Sequence, residues 1–254
     1  MKRISIIAII VTLATLCIKA ADNIHIVFIG NSISYGALLN DRDREAPPTK
    51  AVDYIRANSK LTVDFANCGV SGATTVDFLP ATETLFKNVV NAANTFESKP
   101  GTIVFTISLG TNDSACNGPM GSPVLPQQYY TNLKVIVDEL LTTYKNSIVV
   151  IQYPIWYSPN TYNGAMYLKA GLNRLLTYVP EIDKLVSKYA STHPRRVMAG
   201  DKSAFDTFKD NYAEYFTPEN GNAGTFYLHP NKTGAEILGN IWAKTILNAL
   251  TQSK

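Results

Sequence analysis

The sequence is poor in cysteine and histidine and has almost no surplus charge. Three Cys and three His occur in 254 residues, and none of them cluster at metal-ligand spacing. No metal or other cofactor is therefore expected. Lys and Arg number 23 and Asp and Glu 20. Three of the basic residues, Lys2, Arg3 and Lys19, fall in the first 20 residues, where there is no acid; without that segment 20 basic residues face 20 acidic ones. A near-neutral chain offers no basic face for nucleic acid and no charge run for a membrane surface. No Gly-rich phosphate loop with a lysine follows the first strand-like run, which argues against a nucleotide binder. Repeats, low-complexity tracts and dividing linkers are also missing.

One apolar run does stand out. Lys2 and Arg3 precede an almost wholly apolar stretch from Ile4 to Ile18, and Ala20 offers a small residue for cleavage. Residues 1–20 are expected to be a secretory signal, too short for a membrane span. The protein is then exported, to the periplasm or the medium, with no stable membrane insertion after processing. Leu16, ahead of Cys17, is larger than a lipid-attachment site prefers. Residues 21–254 are expected to form one domain with a sizeable core. It would keep Cys68 and Cys116, read here as unpaired buried thiols although an exported protein could join them.

Strand and helix patterns alternate along this domain. Ile24 to Ile29 is apolar and rich in β-branched residues, as in a buried strand. A polar loop (40–45) and a helix opened by Pro47 and Pro48 follow, then a second strand over Leu61–Ala66. Residues 75–96 carry a loose helical period, and Thr102 to Leu109 reads as a strand covered on both faces. Leu133, Ile136, Val137, Leu140, Leu141 and Tyr144 mark one face of a helix. Further strands are expected at Ile148–Gln152 and Arg196–Ala199, an irregular aromatic stretch over 201–228, and a last helix from about Lys232. Five such alternations argue for an α/β fold with a parallel sheet covered by helices on both faces, and ligands then bind at the carboxyl ends of the strands.

Four short stretches fall where that edge should be. Gly30-Asn31-Ser32 follows the first strand, in a turn that can hold a serine hydroxyl out at the end of the sheet. A helix starting there would aim free N–H groups and its positive end at the same place. Val70-Ser71-Gly72-Ala73-Thr74 follows the second strand, and Gly72 could present a backbone N–H. Gly110-Thr111-Asn112-Asp113 follows the third, with the Asn112 amide as a further donor. His229, in His229-Pro230-Asn231, precedes the last helix and is the best-placed base of the three histidines. Each stretch also has a plainer reading, as turn former, glycine loop, turn cap or partly buried polar residue.

Together they resemble the SGNH (GDSL-type) hydrolases, whose four blocks carry Ser, Gly, Asn and His in this order. The resemblance spans about residues 24–250. It implies a three-layer α/β/α sandwich around a five-stranded parallel sheet, flavodoxin-like in outline, and ester hydrolysis without a metal. It assigns Ser32 as nucleophile, His229 as base, and Gly72 and Asn112 as oxyanion donors. Asn31 replaces the frequent Asp of the first block, a minor change. The larger departure is Phe226, three residues before His229, where the family usually has its catalytic acid. The acid could come instead from Asp201, Asp206, Glu214 or Glu219; a backbone carbonyl could hold the ring; or hydrolysis could be weak or absent.

Exported members of the family often deacetylate carbohydrates, so a glycan or small-molecule ester is the expected partner. Tyr153, Trp156, Tyr157, Tyr162 and Tyr167 could stack on sugar rings, or simply pack as a loop. No long apolar lid of the kind a lipase would need is apparent. The alternatives are a non-catalytic carbohydrate-binding protein on the same scaffold, and a lipase or thioesterase of the same family.

Overall fold

A computed structural model describes residues 23–253, so the signal segment expected over 1–20 lies outside the described residues. Strand β1 (Asn23–Gly30) sits inside the sheet and is apolar on both faces. Ile24, Ile26 and Phe28 pack into one core and Val27 and Ile29 into the other, as the alternation of side chains along a strand requires.

Two one-turn helices, α1 (Ser32–Tyr35) and α2 (Arg42–Glu45), follow, and then α3 (Pro47–Asn58). The polar stretch expected to be a plain loop thus contains a helical turn, capped by Asp41, whose carboxylate accepts the Arg44 N–H. Strand β2 (Thr62–Gly69) runs three residues further than its apolar pattern suggests. It pairs with β1 through Gly30↔Gly69, and the Gly72 loop starts only beyond that pair. The loose helical period over 75–96 resolves into a turn region and α4 (Leu85–Glu97). Strand β3 (Thr102–Ser108), α5 (Pro126–Thr143), β4 (Ile148–Ile151), α6 (Leu168–Thr192) and β5 (Val197–Ala199) complete the sheet and part of its cover.

The five strands are parallel, in the order β2-β1-β3-β4-β5. Helices α4, α5 and α6 cover one face, through residues such as Phe86, Leu133 and Ile182. On the other face α3 is joined by α7 (Ser203–Asp210) and α9 (Lys232–Gln252), through Val52, Phe208 and Trp242. This is the expected three-layer sandwich. The chain runs from β1 outward in one direction to β2 and in the other to β3, so the turns after these three neighbouring strands meet at one edge.

The aromatic stretch after β5 is far from irregular. Beyond α7 it holds a one-turn helix α8 (Tyr212–Tyr215) and a hairpin of β6 (Phe216–Gly221) and β7 (Gly224–Pro230). Phe216, Phe226 and Leu228 are buried and seat this hairpin on the sandwich. Its register runs Glu219↔Phe226 and Pro218↔Tyr227, then shifts to Phe216↔Pro230. One extra residue therefore sits in β7, a bulge beside His229. Bulges break the alternation of side chains and re-aim them, and Leu228 and His229 both reach the same cavity.

Candidate active site

The turn after β1 is shaped by a glycine and an asparagine. A Cβ on Gly30 would lie 2.0 Å from the Ser34 hydroxyl, so no larger residue lets α1 close onto the strand end. The Asn31 side-chain Oδ1 accepts the Ile33 N–H at 3.0 Å and caps α1. This holds Ser32 at the first helical position, 8% exposed. Since α1 is a single turn, it offers free N–H groups and little of the macrodipole that a longer helix would supply.

Ser32 and His229 are 197 residues apart in sequence, yet the Ser32 Oγ lies 3.0 Å from the His229 Nε2. The other ring nitrogen, Nδ1, lies 3.0 and 3.1 Å from the two carboxylate oxygens of Glu219. A carboxylate can only accept, so Nδ1 carries the proton and Nε2 is free to accept from the serine hydroxyl. The His229 backbone N–H also donates to Glu219, at 3.2 Å, which ties the carboxylate to the strand it faces.

Glu219 is one of the four carboxylates left open by the sequence. Asp201 instead accepts the Ser203 N–H, and the Glu214 carbonyl accepts from the Asn231 side chain. Asp206 and Glu214 are exposed. Phe226 is buried directly across the hairpin from Glu219. The carboxylate missing from β7 is thus present on its partner strand, opposite the position it vacated.

Gly72 and Asn112 line the same cavity as Ser32 and His229. Gly72 has φ +80, a conformation that favours glycine, and a Cβ there would meet open space. Asn112 is fixed at both ends of its amide. Its Nδ2 donates to the Ala73 carbonyl at 2.9 Å, and its Oδ1 accepts from the Tyr167 hydroxyl at 2.6 Å. One N–H of Asn112 remains for a ligand. Burial, together with nearby Glu219, pushes the Tyr167 phenol well up, so it stays a donor.

Tyr167, left open between sugar stacking and loop packing, is buried with its hydroxyl on Asn112. Tyr153, Trp156 and Tyr157 are buried as well: Tyr153 bonds to Asp183, Tyr157 to Ser114, and Trp156 packs on Phe216. Of the five rings only Tyr162 keeps partial exposure. Loop packing wins here because the phenols of Tyr153, Tyr157 and Tyr167 each hydrogen-bond to a side chain of the fold. The role of Tyr167 left no mark in the sequence, since nothing local links it to a residue 55 positions away. Replacing Tyr167 with Phe should lower kcat for ester hydrolysis about tenfold with KM nearly unchanged, the loss of about one hydrogen bond from an oriented donor. Steady-state kinetics on a short acetyl ester checks this.

The cavity measures about 350 Å³. Its walls come from small residues, including Ala37, Gly118, Gly164 and Ala165, and no Lys, Arg, Asp or Glu lines it among the described residues. Cys68 and Cys116 are unpaired and partly buried. Burial pushes the Cys68 thiol up to about 11, so it is inert near neutrality. No described helix is long and apolar enough to cross a membrane.

Comparison with known proteins bears on the family and the fold. Residues 28–237 match the GDSL-like Lipase/Acylhydrolase family. Among solved structures, the chain is similar to a lipase/acylhydrolase from Enterococcus faecalis, at 18% identity and TM-score 0.54, covering 88% of this chain and 95% of that one. It is similar to an acetylxylan esterase from Geobacillus stearothermophilus, at 17% identity and TM-score 0.59, covering 91% and 96%. It is also similar to a carbohydrate acetylesterase from Sinorhizobium meliloti, at 14% identity and TM-score 0.55, covering 88% and 98%. No curated protein sequence matches the chain. The family match covers most of the sequence and takes in Ser32, Gly72, Asn112, Glu219 and His229, so this chain belongs to the GDSL-like lipase/acylhydrolase family.

Proposed function

We propose that the protein is an exported serine esterase that removes short acyl groups, acetyl foremost, from neutral carbohydrates. The observation that carries this reading is the unbroken path Ser32–His229–Glu219, with both contacts near 3.0 Å. In the proposed reaction His229 Nε2 takes the Ser32 proton as Oγ attacks the ester carbonyl. Glu219 steadies the imidazolium that results. The negative oxygen is held by the N–H groups of Ser32 and Gly72 and by the free N–H of Asn112, each donor worth roughly 3–4 kcal/mol. Collapse breaks the bond to the alcohol, which leaves with the proton from His229. Water, activated by the same imidazole, then attacks the acyl-serine; the acid leaves and Ser32 regains its proton.

The cavity supports the substrate class. Its uncharged walls suit a neutral alcohol and offer nothing to the phosphates of a charged thioester carrier, which seek Arg and Lys. Its volume is near the lower end of ligand sites, which fits a small acyl group better than a long chain. The acetylesterases of similar fold point the same way. Two measurements test the reading. A fluorophosphonate probe should label the protein at Ser32, and acetylated xylooligosaccharides should release acetate faster than a long-chain ester is cleaved. No labelling together with sugar binding would instead support a binding protein on this scaffold.

A further inference from the structure

One buried carboxylate has no part in the reaction above. Asp113 is 0% exposed and directly follows Asn112. Its Oδ1 accepts two hydrogen bonds from Thr75, one from the N–H at 2.9 Å and one from the hydroxyl. Thr75 stands three residues beyond Gly72, on the neighbouring loop. Asn112 holds Ala73 of that same loop. Two adjacent side chains after β3 thus grip residues 73 and 75 of the Gly72 loop.

The connection extends further. The Thr75 hydroxyl accepts from Asn132 Nδ2 at 2.9 Å, and Asn132 Oδ1 accepts from Gln128 at 2.6 Å, so the loop is anchored to α5. The second oxygen of Asp113, Oδ2, has no hydrogen-bond partner among the described residues. No ion pair among the described residues includes Asp113. The ionisable groups facing it are the phenols of Tyr129 on α5 and Tyr178 on α6, whose hydroxyls donate to the Leu109 and Val124 carbonyls. Arg174, also on α6, acts on Tyr178 but donates to the Ser114 carbonyl.

A buried carboxylate with an orphan oxygen is costly, and a neutral amide could accept the same two bonds. What the charge adds is strength, since hydrogen bonds to an ionised acceptor are about twice as strong as neutral ones. We propose that Asp113 is a positioning residue for the oxyanion donors, its carboxylate tying the loop of Gly72 to the loop of Asn112. The inference rests on the esterase reading and adds to it a residue that touches no substrate.

Burial pushes the Asp113 carboxyl up to about 6 from an ordinary 3.8, with the Thr75 bonds acting the other way. The folded protein therefore holds this proton to higher pH than the unfolded chain does. The group favours folding below about pH 4, and that contribution is lost as pH rises through about 6. In the folded protein the charge needed for the grip forms as pH rises through about 6.

The test uses Thr75→Val, Thr75→Ser and Asp113→Asn in the full chain, with kcat, KM and Tm measured on a short acetyl ester. Thr75→Val should lose about tenfold in kcat with KM within about twofold, and Thr75→Ser should recover most of the loss. Asp113→Asn should lower kcat at pH 8, flatten the fall of kcat below pH 6, and weaken the pH dependence of Tm between pH 4 and 6. A Thr75→Val protein with wild-type kcat, a Thr75→Ser protein no better than Thr75→Val, or an Asp113→Asn protein with the wild-type pH profile would overturn the assignment. A wild-type protein that neither hydrolyses esters nor labels at Ser32 would instead overturn the esterase reading, and this inference with it.

Discussion

Replacing Ser32 with Ala should lower ester hydrolysis by about 10⁴-fold or more. The hydroxyl supplies the bond-forming atom, and among the described residues no other side chain hydrogen-bonds to His229 Nε2. The fold should tolerate the change. Among the described residues the Ser32 side chain bonds to His229 alone, while the capping of α1 is performed by Asn31. The oxyanion donors also survive, because two are backbone groups and the third is Asn112. Residual rate above water is therefore expected from binding and charge stabilisation alone. The measurement is acetate release by purified protein, with loss of fluorophosphonate labelling read on the same sample. Activity within tenfold of wild type would mean that another residue attacks the ester.

Changing Glu219 to Gln should cost about 10³–10⁴-fold in kcat. Gln keeps the shape and still has an oxygen to accept the His229 N–H, so the hairpin should keep its register. What goes is the negative charge beside Nδ1, which stabilises the imidazolium as it forms and selects the tautomer with Nε2 free. The matched changes Asp201→Asn, Asp206→Asn and Glu214→Gln should each stay within about twofold of wild type, since none of these carboxylates touches the ring. If Glu219→Gln kept a tenth or more of the activity, the imidazole would be held by other means and the dyad reading would stand.

The sheet could be read from the sequence because its strands are continuous apolar runs. Ile24–Ile29 and Thr102–Leu109 are buried on both faces, and their pattern leaves little choice of structure. Ser32, Gly72 and Asn112 could be picked out as candidates because each follows closely on a strand with an apolar pattern, whereas His229, inside β7, was marked only by the helix that begins beyond it. The hairpin was hidden by its own composition. Pro218 argues against a strand, and only a two-stranded ribbon with free edges tolerates it there. The Asn220-Gly221 dipeptide and the small residues that follow are the one turn signal available. Centring a hairpin on Asn222 and Ala223 would have set 219 opposite 226. Tyr167, Thr75 and Asp113 were beyond reach for a different reason: their contacts join loops 38 to 55 residues apart, and no local pattern encodes such a meeting.

The short ribbon that carries both Glu219 and His229 bears on how distant relatives are sought. Two facing strands give an acidic side chain a choice of two backbones from which to reach one imidazole, so descent can trade one for the other without disturbing the nucleophile. Screens that demand an acid at a fixed interval before the histidine will discard such lineages as defunct. Inspecting what lies opposite the vacated place would recover them.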